Sequence, residues 1–514
     1  MLRVAPLVLV LLLCLAPGAE SADWPFGGGG GPGARGRDLF NLGILGAKAW
    51  DADRPEPAAQ QSGRRTGSSE PAGGGDAGPL RLRIELLYPD GPAAKAGLAV
   101  GDLVVGVGRG AFKEGAFEPL ATALRKAESG KGIVTLLVQK GGEGKPVKLD
   151  VAVPVGGKPM AKPTKAAGRT QLVDAGLAWL AARQAGNGGF TQTLSGPNGA
   201  VVQTALAGLA WIAGGSTQQK GPYKDHVARA VTFVTANVGK RPSMGGGEGM
   251  RGGSNWNQTN WGVAHAAIFL GELHAHEPTP ELKRALLDLG TSLVERQEQS
   301  GGWAHGPGGP NALGYVELNI LTGLALCGMG LARQAGCKIA QPALDLADAY
   351  LKQSSNGDGG VGYSHKPGQR GQGNIGRSAG CWLGYMTLGL GKTGWGQKMK
   401  KWTARNAGAV QGGHASLMQH ILLAGVGAHA IGGKAKKAYW AACERDLTLA
   451  RAPDGSFQPR PWRETLSMGS NSDVSFGEVW TTAAWTVVLA CEPEKKGRPG
   501  LPYWMGQKRV EAAK

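Results

Sequence analysis

The sequence predicts a multidomain chain in which a small β-rich unit is followed by an all-α closed array of six helical hairpins. Three observations carry that prediction. Leu80-Arg81-Leu82-Arg83-Ile84-Glu85-Leu86 alternates apolar and charged residues, the period of a half-buried strand. From about residue 169 onward, apolar helical segments recur, separated by polar breaks that end in Gly and an aromatic or apolar residue. The 88 glycines and 30 prolines among 514 residues keep no three-residue period, which excludes collagen, and 42% apolar residues exclude uniform disorder. The glycines are therefore punctuation between folded elements.

In chain order, Met1-Leu2-Arg3 gives a positive start, Val4 to Leu15 an apolar core, and Ala16 to Ala22 a stretch rich in small residues. This is the pattern of an export signal over 1–22, cleaved between positions 18 and 22, with a retained anchor as the alternative. The apolar run falls short of the ~20 residues that cross a bilayer, and no later stretch is apolar enough to span. The expected location is secreted or periplasmic. Residues 23–38 are Gly-rich and expected to be flexible, and so is an insertion over 52–79 inside the β-rich unit, which runs from 39 to 155.

Within that unit, Leu103 to Val107, Ile133 to Val138 and Val147 to Val153 read as further strands, and Pro119 to Glu128 as a short helix. Asp90-Gly91-Pro92-Ala93-Ala94-Lys95-Ala96-Gly97-Leu98-Ala99-Val100-Gly101-Asp102 resembles the PDZ signature of exported bacterial proteases. Upstream, Asn41-Leu42-Gly43-Ile44 is similar to the loop that cradles a peptide carboxylate in that family. The resemblance makes Leu42, Gly43 and Ile44 candidate peptide-binding residues. Backbone N–H groups in a Gly turn form an anion nest, and an open strand edge can accept a peptide as an added strand. A PDZ-like spacer without a ligand is the alternative.

After a linker over 156–168, helical hairpins occupy 169–505, with a basic tail at 506–514. Leu172 to Arg183 stops at Gly188-Gly189-Phe190, and Thr291 to Gln297 at Gly301-Gly302-Trp303. Ala343 to Gln353 stops at Gly359-Gly360-Val361, and Tyr439 to Arg451 at Gly455-Ser456-Phe457. Between the breaks, small-residue-rich helices are expected to start near Ala200, Asn257, Leu313, Ile375, His414 and Val474. This part resembles the α/α toroid of squalene and terpenoid cyclases, prenyltransferase β-subunits and complement thioester domains. The combination with an export signal and a PDZ-like unit resembles a family of uncharacterised secreted bacterial proteins, which lends no activity.

The known toroid chemistries leave marks that are missing. There is no Asp-x-Asp-Asp acid, with Asp345 and Asp348 the nearest spacing, and no Asp-Cys-Thr-Ala-Glu, Asp-x-Cys or Cys-Gly-Glu-Gln. The formal charge of +18 comes without any nucleic-acid-binding motif, so a solvated basic surface or affinity for acidic surfaces is expected instead of nucleic acid. Cys327, Cys337, Cys381, Cys443 and Cys491 show no CxxC or Cys/His ligand spacing. His265, His414 and His420 lie on inner helices without the His-x-x-x-His and carboxylate set of a metal site. No metal or other cofactor is called.

What remains is the centre of the ring. Aligning the apolar runs puts Gln203, Asn260, Glu317, Arg377, Gln419 with His420, and Glu478 at similar depth. Glu317 and Glu478 are the candidate catalytic acid and base, and Gln203, Asn260, Arg377, Gln419 and His420 the candidate cavity lining. Trp256, Trp261, Trp382 and Trp480 are candidates for stacking on sugar rings or other planar ligands. The competing reading is a core of paired polar groups and packed indoles. The leading expectation is an exported binding or scaffold protein, its β-rich unit taking a peptide or chain terminus and its ring supplying a cavity. The alternative is a cavity enzyme acting on polysaccharide or a small apolar, isoprenoid-like substrate.

Overall fold

A computed structural model describes residues 39–53, 78–190, 196–239, 258–306, 316–413, 416–460, 472–494 and 497–509. The export signal, the Gly-rich segment 23–38, most of the 52–79 insertion, Trp256, His414 and the end of the basic tail lie outside the described residues.

The N-terminal region is one antiparallel sheet. Its strands are β1 (Phe40–Asn41), β2 (Ala47–Asp51), β3 (Leu82–Leu87), β4 (Leu103–Val107), β5 (Gly110–Ala111), β6 (Ile133–Gln139) and β7 (Val147–Ala152). They run in the order β1-β2-β3-β4-β6-β7, with β5 on β4. Helix α1 (Pro92–Lys95) starts at a proline, and α2 (Phe117–Ser129) buries Phe117, Leu120, Ala121, Leu124 and Ala127 on one face. That face closes a core with Leu42, Leu82, Ile84, Val104, Leu136 and Val138. The Gly101-Asp102 pair has a structural use here. Burial pushes the Asp102 carboxyl up, but N–H bonds from Ala99 and Gly141 and the Lys140 ammonium outweigh it and hold the group below its usual range.

The remainder is all-helical among the described residues: α3 (Ala166–Arg183), α4 (Gly196–Ala213), α5 (Lys224–Asn237), α6 (Thr259–His276), α7 (Pro280–Glu295), α8 (Asn319–Gln334), α9 (Gln341–Gln353), α10 (Ile375–Leu388), α11 (Gly394–Asn406), α12 (Leu417–Ile431), α13 (Gly433–Ala450) and α14 (Ser472–Ala490). Helices such as α6, α8 and α12 are buried on all sides, whereas α5, α7 and α9 bury one stripe. The fully buried helices form a closed ring: α4, α6, α8, α10, α12 and α14 touch in succession, and α14 returns to α4. All five described cysteines are buried and free. Among the described residues no helix is long and apolar enough to cross a membrane.

The Gly breaks explain the spacing of the ring. In each, a side chain accepts from the amide two residues on: Asn187 from Gly189, Ser300 from Gly302, Asp358 from Gly360 and Asp454 from Ser456. The glycine between them, Gly188, Gly301, Gly359 or Gly455, has φ of +89, +98, +98 or +91°. A Cβ on Gly188 would lie 2.2 Å from the Arg229 carbonyl of α5, and one on Gly301 2.2 Å from the Leu346 carbonyl of α9. Gly359 likewise meets α11 at Lys398, and Gly455 meets α3 at Ala175. Each break therefore seats on the outer helix of the following hairpin, and the last seats on the first. The residue after the second position is buried and its N–H bonds an inner helix: Trp303 to Thr322, Val361 to Ser378 and Phe457 to Thr482.

Candidate functional site

The sequence-predicted polar residues sit near the N-terminal ends of the inner helices, but they divide into three neighbourhoods. An asparagine near the start of an inner helix fastens the neighbouring break. Asn260 Nδ2 donates to the carbonyls of Ala304 and Gly306, Asn319 to Gly362, and Asn374 to Gly412. Asn260 therefore ties the ring together.

The first neighbourhood spans α8, α10 and α12. Glu317 Oε2 lies 3.7 Å from His365 Nδ1, and the Tyr350 hydroxyl donates to the Glu317 carbonyl at 2.8 Å. Arg377 lies over the Tyr363 ring at 5.6 Å, and its backbone N–H donates to Asn374 Oδ1. His420 Nδ1 is 2.6 Å from that same Oδ1. Gln419 is buried, and its Nε2 has no hydrogen-bond partner among the described residues. Arg377 and His420 thus share Asn374, while Glu317 lies beside His365; sequence reasoning missed Tyr363, His365 and Asn374. The asparagines were legible as a repeat at helix starts. His365 lies in a loop without periodicity, and nothing local marked it.

The second neighbourhood joins α4, α6 and α14. Gln203 Nε2 donates to the Phe476 carbonyl at 2.7 Å, while its Oε1 has no partner among the described residues. Burial pushes the His265 imidazole down to about 4, so it is neutral at pH 7. Its Nδ1 lies 2.9 Å from the Trp261 carbonyl, which can only accept, so Nδ1 carries the proton and Nε2 is an acceptor without a donor. The Trp261 ring stacks on His265 and on His305, and its Nε1 donates to His305 Nδ1 at 2.9 Å. Trp480 meets His265 edge-on, and its indole donates to Asp473. Trp382 is buried on α10, with no acceptor for its indole N–H among the described residues.

The third neighbourhood is the junction with the sheet, and Glu478 belongs to it. Glu478 Oε2 accepts from Gln458 at 2.9 Å. Burial pushes its carboxyl up, against that bond and the charge of Lys48 on β2. Burial pulls the Lys48 ammonium down, against Glu478 and Asp454. Burial, with Asp454 beside it, pushes the Tyr88 hydroxyl up to about 12. Glu478 therefore faces the sheet, while Glu317 faces His365.

The loop expected to cradle a peptide lies against this chain's own helices. Leu42, Gly43 and Ile44 are buried. A Cβ on Gly43 would lie 2.8 Å from Leu124 of α2 and 3.0 Å from the Thr448 carbonyl of α13. Asn41 Nδ2 donates to the carbonyls of Leu449 and Arg451 at 2.6 and 2.8 Å. Leu449 itself packs into the core of the sheet unit. A peptide expected at 42–44 would find its place taken by residues 448–451, because an apolar loop beside an apolar helix end buries area when the two meet.

Among the described residues no group of three or more His, Cys, Asp or Glu side chains is arranged to hold a metal ion. Residues 173–491 match the profile of a family described as a domain of unknown function, DUF6288. The chain belongs to that family. No curated protein matches the chain. Among solved structures it is similar to the unsaturated glucuronyl hydrolase of Bacillus sp. GL1, described as responsible for the degradation of glycosaminoglycan. That likeness is at 13% identity and a TM-score of 0.41, over 66% of this chain and 100% of the other. It is similar to the type II terpene cyclase MstE from Scytonema at 14% identity and a TM-score of 0.35, over 63% and 97%. A protein from Actinoplanes is similar at 16% identity and a TM-score of 0.36, over 63% and 98%.

Proposed function

We propose that the chain is an exported six-hairpin toroid enzyme that acts on an acidic polysaccharide at the α8–α10–α12 mouth. What supports it is two pairs, Glu317 beside His365 and Arg377 over Tyr363, with Tyr363 and His365 two residues apart in one loop. Proton transfer to and from a sugar needs an acid and a base within reach of the same bond. His365, beside Glu317, takes the proton from the carbon next to the substrate's carboxylate and gives it to the leaving glycosidic oxygen as that C–O bond breaks and a C=C bond forms, a β-elimination. Arg377, over the Tyr363 ring, is the cation offered to the substrate's carboxylate in this reading. The formal charge of +18 favours a polyanion at long range. In this reading Glu478 is a junction residue and the acid–base work falls to Glu317 with His365.

The sheet unit, PDZ-like in its signature, serves in this reading as a clamp on α13 and α14. The scaffold reading, in which 42–44 takes a peptide or chain terminus, requires residues 448–451 to leave first. The export signal over 1–22 would deliver the protein to the periplasm or outside the cell, where such polysaccharides occur.

The test is release of new chain ends from hyaluronate, polygalacturonate, alginate and heparan sulfate by the full chain. The wild type is expected to cleave at least one. Glu317→Gln and His365→Asn are expected to lower kcat by about 10²–10⁴ with an unchanged melting temperature. Tyr350 holds the Glu317 backbone carbonyl, so the Gln variant keeps that tie. Cleavage that survives both substitutions, or cleavage of none of the four, rejects the proposal.

A further inference from the structure

The outer face of the ring carries a groove that the mouth does not use. Helices α9 and α11 stand apart, and Tyr385 of α10 forms the floor between them. The cavity measures about 730 Å³, within the ~300–1,000 Å³ range of small-ligand sites. Leu344 and Leu390 add apolar wall, and the Trp395 indole lines one side. The Trp395 N–H is withdrawn from water and has no acceptor among the described residues, so the indole offers the groove its apolar surface and not its donor.

The polar groups along the groove are held in place and balanced in sign. Asp348 accepts from the Tyr385 hydroxyl at 2.5 Å and pairs with Lys352 at 2.5 Å. Asp345 accepts from Gln341 at 2.8 Å, and Lys398 reaches the Gly357 carbonyl at 3.1 Å. Two carboxylates and two ammonium groups therefore line the groove, and a charged ligand would meet like charge wherever it lay. A peptide would look for free backbone groups, and a wall of two helices offers no strand edge. A neutral sugar chain suits the set: its C–H faces lie on Trp395 and Leu390, and its hydroxyls both donate to the carboxylates and accept from the ammonium groups.

We propose that the α9–α11 groove is a binding site for a neutral oligosaccharide, separate from the mouth and independent of what the mouth does. The experiment titrates the full chain by calorimetry with cellohexaose, maltohexaose, xylohexaose and mannohexaose, and with a sulfated hexasaccharide as the charged counterpart. At least one neutral hexasaccharide is expected to bind, with an affinity that hardly changes with salt. Trp395→Ala and, at the exposed rim, Asp345→Asn are each expected to weaken it tenfold or more. Both variants should keep the wild-type melting temperature and the wild-type action on acidic polysaccharide. If none of the neutral sugars binds, the proposal is wrong. It is equally overturned by binding that ignores Asp345→Asn and Trp395→Ala, or by preference for the sulfated chain. Should Trp395→Ala fail to fold, the Asp345→Asn result decides alone.

Discussion

Arg451 and Glu128 bind one another across the junction of the sheet and the ring, through bonds of 2.9 and 2.5 Å. The Glu128 side chain is 3% exposed, and the Arg451 side chain 11%. Removing one partner of such a pair strands the other charge out of water, at a cost of about 3–5 kcal/mol. Glu128→Gln is therefore expected to lower the urea midpoint markedly, whereas the double replacement of Glu128 and Arg451 by Gln and Met should recover much of the loss. A midpoint unmoved by Glu128→Gln would show that the junction does not depend on the pair. At this scale the sequence marked Glu317, Arg377 and His420, because charged and polar residues stand out on helices that are otherwise apolar. It did not mark His365, or that Glu478 meets Lys48. Both are set by loops and by a partner more than 400 residues away in the chain for Lys48, and no local pattern records such distances.

The elements were more legible. Inner helices expected near Ala200, Asn257, Leu313, Ile375, His414 and Val474 begin at Gly196, Thr259, Asn319, Ile375, Leu417 and Ser472. Apolar periodicity reports a buried helix wherever it packs, and the Gly breaks mark its neighbours' ends. Those breaks carry a consequence for stability. Gly301 combines φ of +98° with backbone 2.2 Å from its absent Cβ. Gly301→Ala must either strain the left-handed conformation, at about 1–2 kcal/mol, or push the break off α9. A loss of about 2–4 kcal/mol is expected from chemical unfolding. Gly186 has open space around it and no positive φ, so Gly186→Ala is expected to stay within about 1 kcal/mol of wild type. Equal effects at the two positions would show that the breaks are ordinary linkers. The one element-scale reading that changed meaning is the 42–44 loop, whose sequence describes its shape but not what lies against it.

Over the whole molecule, Glu492 ties together α3, α12 and α13 where the ring closes. It meets Lys436 at 2.7 and 3.0 Å, Arg169 at 3.3 Å and His429 at 3.3 Å. Burial alone would raise its carboxyl, but the bonds and charges of His429 and Lys436 outweigh that and hold it at about 2. Burial lowers the His429 imidazole against the pull of Glu492. A folded pKa below the unfolded value means stability that is present above about 4.5 and is lost as the pH falls toward 2. The wild type should therefore lose about 2–3 kcal/mol in that window through this group. Glu492→Gln should already lack it at pH 7 and show a flatter acid profile. A parallel profile in the two proteins would remove Glu492 from the closure. The sequence by itself determined the order of sheet and helices, the helix periods and the Gly breaks, because propensity, turn chemistry and apolar spacing act over a few residues. Only the tertiary structure decided that α14 returns to α4, that residues 448–451 fill the loop of the sheet unit, and that Glu317 faces His365. Those outcomes depend on which surfaces bury each other, and burial is a property of pairs of segments that the chain brings together only when it folds.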